Sequence, residues 1–462
     1  EYNNRNSVNR GDIMFVGREE ELKTLEKLYS KGNFQLVVMY GRRRVGKTTL
    51  INKFIEDKKA IFFAAQEAND SINLEIFSQK IYSFFDIPLS AGNFKTWNDA
   101  LEFIAEKAKK QRFTLVIDEF PYAAEANNSI KSILQNIIDH KLKATSLFMI
   151  LCGSQISFME DEVLGHKSPL FGRRTAQMKI EGFDYYDASK MMHSFSDGDK
   201  IKLYSCIGGT PHYLSQIDAS LSFEENIKDL YFNVSGYLYD EPTMLLKQEL
   251  REPAMYNSVI TAIASGASRL NDISTRISED TSKTIKYLNT LLNLRILHKE
   301  YPFGDNIAKS RKGIYRISDN CYNFWYKYVF LNKIGIEQGI GHTIADKNVF
   351  PDLTDYIGKQ VFEEVCRQYL IRQNKLSNLS FVATRIGSWW GQDNVEKKQS
   401  DFDIVADNKS EKKVLLGECK WRNEFDDVKE IFFSKVPYTK AAKELEKNYT
   451  NLRLVTLDEL FK

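Results

Sequence analysis

The eight residues from Gly41 to Thr48 have types and spacing that could bind phosphate, since they read Gly-Arg-Arg-Arg-Val-Gly-Lys-Thr. This is the GxxxxGK[ST] spacing of a phosphate-binding loop, and an apolar run precedes it while a helical pattern follows it, as the motif requires. Gly41 and Gly46 let backbone N–H groups face phosphate oxygens, Lys47 reaches the β- and γ-phosphates, and the Thr48 hydroxyl ligates Mg²⁺. The sequence therefore predicts a site for ATP and Mg²⁺.

The other residues of the loop are further candidates for nucleotide contact. They are Arg42, Arg43, Arg44, Val45 and, one position after the motif, Thr49. The arginines can neutralise phosphate charge, but for at least two of them the sequence favours a basic loop that faces solvent. The choice between these interpretations stays open at the level of sequence.

Two acids end a later apolar run, which reads Leu-Val-Ile-Asp-Glu over residues 115–119. Asp118 lies at the carboxyl end of the predicted strand, where it can hold Mg²⁺, often through water. Glu119 is then placed to polarise the attacking water as a general base. A strand that simply ends in two solvated acids is the alternative, and the phosphate-binding loop upstream favours the catalytic interpretation.

A second group with chemical potential lies near the end of the chain. Asp403 is followed fifteen residues later by Glu418, and Lys420 comes two residues after that. Side chains two apart on a strand share a face, so Glu418 and Lys420 are expected to point the same way. An adjacent strand could bring Asp403 beside them. Two carboxylates next to a lysine can bind a divalent metal, a second Mg²⁺ or a Mn²⁺, and the lysine can orient or activate water for attack on a phosphodiester.

The first of these sites needs a sheet to hold it, and the pattern predicts one. Near-continuous apolar runs are typical of strands buried on both faces of a parallel sheet, and they occur at 36–40, 60–64, 114–117 and 147–152. Segments with helical spacing lie between the runs, so the fold class is α/β. Residues 1–12 form a polar tail, and 13–184 are predicted to be the ATPase core.

The rest of the chain divides by pattern into four parts. Residues 185–249 are predicted to be a helical lid, 321–351 a linker, and 352–462 a last α/β domain. Residues 250–320 show three short helices near 254–264, 270–277 and 281–294, followed by a hairpin of 296–300 and 313–317. Helix-helix-helix-hairpin is a winged-helix pattern.

Basic residues in the predicted winged helix make DNA a candidate partner. Lys283, Lys286 and Arg295 lie on or beside its third helix, and the wing adds Lys309, Arg311 and Lys312. These side chains could neutralise several phosphates, and the affinity would then fall steeply with salt. A lid, or a docking surface for a protein partner or another subunit, is the alternative.

Bulk composition excludes some classes of protein. The length of 462 residues predicts about three or four domains, and 43% hydrophobic and 27% charged residues are ordinary for globular protein. The five cysteines are scattered, which argues against a disulfide framework and a structural zinc site. No apolar run approaches a membrane span, so a cytoplasmic protein without membrane contact is expected.

Two more segments resemble a known family. Residues 15–22 (FVGREEEL) and 208–214 (GGTPHYL) resemble archaeal-type AAA+ ATPases close to the STAND and Orc/Cdc6 groups. That resemblance implies that Gly17 and Arg18 cup the nucleotide, that Pro211 of the lid approaches the adenine, and that Ser154 senses the γ-phosphate. The segment 168–173 (SPLFGR) is similar to a family element that makes Arg173 the candidate γ-phosphate-reading arginine, in its own subunit or across to a neighbour. Arg174 beside it leaves that assignment open, and an arginine that pairs with a surface acid is the alternative interpretation of Arg173.

The C-terminal group resembles the PD-(D/E)xK nuclease superfamily, and the whole of 352–462 resembles the C-terminal domain of unknown function in the same ATPase family. The resemblance implies a restriction-endonuclease-like fold in which Glu363, or alternatively Glu364, supplies a helical acid to the metal from a single helix predicted over 358–370. Phe402 stands where the superfamily typically has proline. Trp389 and Trp390 could stack on a nucleic-acid base or pack in the core.

Three functions follow from this sequence. The first is an ATP-switched protein whose winged helix and nuclease-like domain act on DNA. The second is a STAND-like signalling ATPase whose C-terminal domain binds a partner without cleaving anything. The third is a structural DNA-binding ATPase that does not cleave.

Overall fold

The structure is a computed structural model that describes residues 15–88, 90, 92–250, 253–392, 399–421, 431–434 and 453–461. The chain forms two compact units, Glu1–Gly182 and Phe183–Lys462. Each unit is described by itself, and the finer division into six parts stays a prediction. No helix among the described residues is both long and apolar enough to cross a membrane.

A five-stranded sheet forms the centre of the first unit. Its strands are β1 (Gln35–Tyr40), β2 (Ala60–Ala64), β3 (Thr114–Asp118), β4 (Phe148–Gly153) and β5 (Ala176–Lys179). The order across the sheet is β2-β3-β4-β1-β5, and every pair is parallel. All residues of β1, β3 and β4 are buried, which is why the sequence shows them as unbroken apolar runs. The predicted parallel sheet is confirmed.

Helices cover both faces of this sheet. They are α1 (Glu19–Tyr29), α2 (Lys47–Ile55), α3 (Asp70–Phe84), α4 (Trp97–Lys110), α5 (Phe120–Ala126), α6 (Ile130–His140) and the short α7 (Ile156–Phe158). Alternate residues of β1 enter two different cores, since Val38 packs with α3 and α4 while Val37 packs with α1 and α2. Because the strands are parallel, the carboxyl ends of β1, β3 and β4 meet at one edge, where ligands bind in such sheets.

The second unit begins with helices, as predicted for the lid. They are α8 (Tyr185–Ser189), α9 (Asp197–Ile207), α10 (Pro211–Leu214), α11 (Phe223–Tyr231) and α12 (Glu241–Glu249). Next come α13 (Pro253–Ala264), α14 (Leu270–Arg276) and α15 (Thr281–Asn293), then the antiparallel pair β6 (Leu297–Glu300) and β7 (Ile314–Ile317). We call β6, β7 and the loop between them the hairpin. Three helices and a hairpin thus lie where the pattern places them.

Short helical segments then lead to a second sheet. They include α16 (Asn320–Phe324), α17 (Lys333–Glu337) and α18 (Gly341–Ile344). The predicted single helix over 358–370 is wrong, because the backbone of Val361 leaves the helical region with φ −127° and ends one helix there. Two helices result, α19 (Leu353–Gln360) and α20 (Phe362–Lys375).

The C-terminal sheet has five strands and a mixed topology. Its strands are β8 (Arg385–Gln392), β9 (Gln399–Asn408), β10 (Lys413–Lys420), β11 (Ile431–Ser434) and β12 (Leu454–Thr456), and α21 (Leu457–Leu460) follows. The order is sequential, with β8, β9 and β10 antiparallel and β10, β11 and β12 parallel. Helix α20 contacts β8, β9 and β10, so its first turn can reach the residues on those strands.

Candidate functional site

Two glycines give the phosphate-binding loop its shape. The loop follows β1 directly, and a Cβ atom at Gly41 would lie 2.0 Å from the carbonyl oxygen of Ile180, so only glycine fits there. Gly46 has φ 88° and caps the first turn of α2, a left-handed conformation that glycine adopts without strain. The N-terminus of α2 therefore opens onto the loop, where its unpaired N–H groups favour an anion.

Lys47 lies at the centre of the site, with only 5% of its side chain exposed. Its ammonium donates to the carbonyl oxygens of Gly41 and Arg42 and to the hydroxyl of Ser154, each at 2.9 Å. Burial lowers the pKa of Lys47 from its ordinary value, and the thiol and carboxyl groups nearby oppose that shift. The ammonium is thus held across the loop, facing the end of β4.

The two predicted Mg²⁺ ligands are in direct contact. The Thr48 hydroxyl donates to Asp118 Oδ2 at 2.9 Å, and the backbone N–H of Glu119 donates to the other carboxylate oxygen at 3.0 Å. A hydroxyl paired with a carboxylate suits Mg²⁺, which takes one or two protein oxygens together with those of a nucleotide. The donor set therefore fits the ion that the motif implies.

Glu119, the predicted general base, is fixed by the next strand of the sheet. Its two carboxylate oxygens accept hydrogen bonds from the hydroxyl of Ser154 at 2.6 Å and from the backbone N–H of Ser154 at 3.2 Å. Glu119 itself has φ 49°, a strained conformation for a residue with a side chain. Ser154 thus links the base to Lys47, a connection that spans three strands of the sheet.

Arg18 supports the loop from outside. Its guanidinium donates to the carbonyl oxygen of Val45 at 3.1 Å, pairs with Glu21 at 3.0 Å and reaches the carbonyl oxygen of Glu181. Gly17, beside it, has φ 66° and begins this turn of backbone. The segment therefore lies against the loop, and the contact with nucleotide that the resemblance implies stays a prediction.

Sequence reasoning missed Tyr122, whose hydroxyl accepts a hydrogen bond from Arg43 at 2.6 Å. Tyr122 lies in the first turn of α5, four residues after Asp118. The available signal in the sequence was a tyrosine that closely follows the acid pair. The remaining candidates of the loop differ in exposure: Val45 is buried, Arg42 and Arg44 are half-buried, and Thr48 and Thr49 are exposed.

Arg173 is engaged with an acid in this structure. Its Nε and Nη2 atoms donate to Asp139 Oδ2 at 2.9 and 2.5 Å, and Nη1 donates to the carbonyl oxygen of Pro169 at 2.8 Å. This bond lowers the pKa of Asp139. A γ-phosphate-reading role would require Arg173 to exchange Asp139 for the nucleotide, so that role stays a prediction, as does the alternative Arg174. Pro211 is the first residue of α10 in the second unit, and its contact with adenine is likewise a prediction.

The three C-terminal residues Asp403, Glu418 and Lys420 lie together. Strands β9 and β10 are antiparallel, and the backbone N–H of Cys419 donates to Asp403 Oδ2 at 2.7 Å. The Lys420 ammonium lies 2.7 Å from Glu418 Oε2 and 3.8 Å from Asp403 Oδ2. Burial raises the pKa of Asp403. The adjacency expected from the alternation of these strands is therefore present.

Glu363 is the acid of α20 that faces this group. Its pKa is raised to about 7, first by burial and then by the negative charge of Asp403. Glu364 instead pairs with Arg367 at 3.0 Å, which favours Glu363 of the two candidates. Carboxylates suit a hard divalent cation, and Lys420 already places a positive charge beside two of them. Among the described residues, however, no three His, Cys, Asp or Glu side chains gather closely enough to hold a metal.

The tryptophans lie on β8, a strand that sequence reasoning did not identify. Trp389 pairs with Phe402 across β8 and β9, and the two rings are 6.0 Å apart. Both tryptophans are half-buried. Phe402 thus has a packing partner at the position where the nuclease superfamily typically has proline.

The first unit is that of a P-loop ATPase, with a parallel sheet, a glycine loop before a helix, a buried lysine and an acid pair at one edge. Residues 15–217 match the model of an ATPase domain that occurs predominantly in Archaea, and residues 325–431 match that of "Archaea bacterial proteins of unknown function". An uncharacterized protein of Methanocaldococcus jannaschii is 32% identical over 420 residues, 91% of this chain and 90% of that protein. The chain therefore belongs to this family of archaeal-type ATPases, and the resemblance seen in its sequence is confirmed.

Shorter and more distant similarities are also present. An uncharacterized ATP-binding protein of the same organism is 55% identical over 49 residues, 11% of this chain and 83% of that protein. The Walker-type ATPase of Pyrococcus abyssi is similar over 68% of this chain and 96% of its own, with 19% identity and a TM-score of 0.49. The ORC2 protein of Aeropyrum pernix is similar over 73% and 98%, with 11% identity and a TM-score of 0.48. These two structures are too distant to support a conclusion about this chain.

Proposed function

We propose that this protein is an ATP-hydrolysing switch whose C-terminal domain is a metal-dependent nuclease acting on DNA. The ATPase half follows from the family and the first unit. The nuclease half rests on one observation, the contact of Asp403, Glu418 and Lys420 on neighbouring strands. The mixed sheet with α20 across it supports a nuclease-like fold for this domain.

In the proposed hydrolysis, each residue of the first unit has one task. Lys47 would leave its carbonyl partners for the β- and γ-phosphate oxygens. Thr48 and Asp118 would hold Mg²⁺, which supplies positive charge against the phosphates when bound. Glu119 accepts the proton of the attacking water, and Ser154 orients its carboxylate. Water and phosphate must both lie near the edge where β1, β3 and β4 end, since all of these groups converge there.

In the proposed cleavage, Asp403 and Glu418 would hold the metal, and Glu363 would supply a third oxygen. The metal, when bound, polarises the phosphodiester and the attacking water. Lys420 would orient that water, a role that requires its ammonium to release Glu418 while staying on the same face of β10.

Cleavage is expected to need Asp403 and Lys420. With Mg²⁺ or Mn²⁺, Asp403→Ala and Lys420→Ala should each reduce the rate of DNA cleavage about a hundredfold or more, since each removes a metal ligand or a water-positioning group. The matched control is Lys413→Ala, which breaks an exposed ion pair, 2.9 Å long, between Lys413 at the start of β10 and Glu411 in the turn before it. It should cleave like wild type. Wild type that cuts neither DNA nor RNA in any nucleotide state would refute the nuclease proposal.

DNA binding by the hairpin is expected to depend strongly on salt. Lys309, Arg311 and Lys312 are exposed in its loop. Changing all three to glutamine should make the slope of log K against log salt less steep by about 2.7, because each neutralised phosphate contributes about 0.9. The control changes three exposed lysines of the first unit, Lys53, Lys109 and Lys110. Fluorescence anisotropy measures the DNA affinity of both triple variants. A DNA affinity that does not change with salt would contradict a DNA-binding hairpin.

One observation favours the second candidate, a signalling ATPase whose C-terminal domain cleaves nothing. The Lys420 ammonium already pairs with two of the carboxylates, those of Glu418 and Asp403. Under this alternative, Asp403, Glu418 and Lys420 form a structural ion-pair network. The cleavage assay separates the two candidates, because a binding module would give no product with any metal.

A further inference from the structure

The hairpin that follows α13, α14 and α15 makes direct contact with the C-terminal domain. The backbone N–H of Phe303, just after β6, donates to the carbonyl oxygen of Ser388 on β8 at 2.7 Å. The guanidinium of Arg385 lies 4.6 Å from the centre of the Phe303 ring. Both contacts are made with β8, the edge strand of the C-terminal sheet, so the start of the hairpin loop is attached to that edge.

A network of ion pairs extends from this contact toward the three acidic residues Glu363, Asp403 and Glu418, which we call the acidic group. Glu300, at the end of β6, has 10% of its side chain exposed and binds two arginines. One is Arg316 on the paired strand β7, at 2.8 Å, and the other is Arg367 on α20, at 3.0 Å. Glu300 therefore ties the hairpin to the helix that carries Glu363.

Arg316 is the hairpin residue that meets the candidate metal ligands. Its Nη2 atom lies 4.0 Å from Glu363 Oε2. Each part of the acidic group thus has a cation of the protein beside it, since Lys420 pairs with Glu418 and Asp403 while Arg316 lies beside Glu363. A cationic side chain and a metal ion compete for the same carboxylate.

We propose that the hairpin forms part of the site around the acidic group. Arg316 is then a positioning residue that holds Glu363 and competes with a divalent metal for the Glu363 carboxylate. This inference rests on the proposed function, since it takes Asp403, Glu418 and Glu363 as the metal ligands. Metal binding then requires Arg316 to withdraw, and movement of the hairpin controls the site. By linkage, metal binding must weaken hairpin docking by the same factor.

Arg316→Gln is expected to lower the dissociation constant for Mn²⁺ about fivefold, the size of a half-exposed ion pair. Electron paramagnetic resonance of free Mn²⁺, recorded on nucleotide-free protein, measures this dissociation constant. Only the Mn²⁺ binding that is lost in Asp403→Ala is assigned to the site. Arg316→Lys keeps the charge and should stay close to wild type. The matched control is Arg276→Gln, since Arg276 lies on α14, ahead of the hairpin, and donates to the carbonyl oxygen of Ser265 at 2.8 Å.

Hydrogen exchange at the Phe303 amide gives a second readout of docking. Glu300→Gln, which weakens the hold on both arginines, should accelerate this exchange without metal, and Mn²⁺ should accelerate it in wild type. An unchanged or weaker Mn²⁺ affinity in Arg316→Gln, in protein that does bind Mn²⁺ through Asp403, would overturn the inference alone. If no variant shows Asp403-dependent binding, the metal site of the proposed function falls, and the inference falls with it.

Discussion

Replacing Lys47 by alanine is expected to raise the dissociation constant for ATP about a hundredfold or more, because a charge-assisted bond to the phosphates is lost in a buried site. The ammonium is held by three oxygen acceptors at 2.9 Å and is almost fully enclosed. The loop contains no second lysine that could take its place, since its other residues are arginines, glycines, a valine and a threonine. Isothermal titration with ATP and Mg²⁺ measures the change.

Loss of a buried lysine could weaken the fold as well as the site, and Lys58→Ala controls for that effect. Lys58 has 7% of its side chain exposed and pairs with Glu26 at 2.9 Å and with Asp57 at 2.6 Å, away from the loop. Lys58→Ala should bind ATP like wild type. Thermal unfolding without nucleotide shows whether both variants are folded. A folded Lys47→Ala protein that binds ATP with the wild-type constant would contradict the assigned role.

The nucleotide site could be predicted from sequence because its determinants are local. The glycines, lysine and threonine lie within eight residues, and the strand before them is buried on both faces and therefore shows as an apolar run. That Thr48 and Asp118 lie near each other was also expected, because both were predicted to hold Mg²⁺ and the carboxyl ends of parallel strands share an edge, but their direct hydrogen bond was not. The partner of Glu119 followed only from the structure, because Ser154 is 35 residues away and its hydroxyl bond depends on strand order.

The elements that were missed share a physical reason. Strand β5 reads Ala-Gln-Met-Lys and has one buried residue, so it lacks the apolar run of the central strands. Strand β8 contains two glycines and is mostly half-buried, so neither alternation nor an apolar run marks it. The contact of the hairpin with α20 was also out of reach, since Glu300 and Arg367 are ordinary surface charges in sequence and become partners only through packing.

Replacing Glu119 by glutamine is expected to leave ATP binding intact and to reduce hydrolysis about a hundredfold or more, the usual contribution of a general base. Glutamine has the same shape but cannot accept the proton of water. It also retains only one of the two acceptor oxygens that Ser154 now contacts, at 2.6 and 3.2 Å, so the side chain loses orientation as well as basicity. Single-turnover release of phosphate measures the rate, and the titration used for Lys47 measures the affinity.

Glu125→Gln is the matched control, since Glu125 is an exposed acid of α5, the helix that begins directly after Glu119. It should hydrolyse ATP like wild type, because a change of charge on this helix does not remove the base. The Glu119→Gln protein should then accumulate in the ATP-bound state, which makes it the form in which DNA binding and hairpin docking are best compared with the nucleotide-free chain. Turnover at the wild-type rate in Glu119→Gln would show that another group accepts the proton.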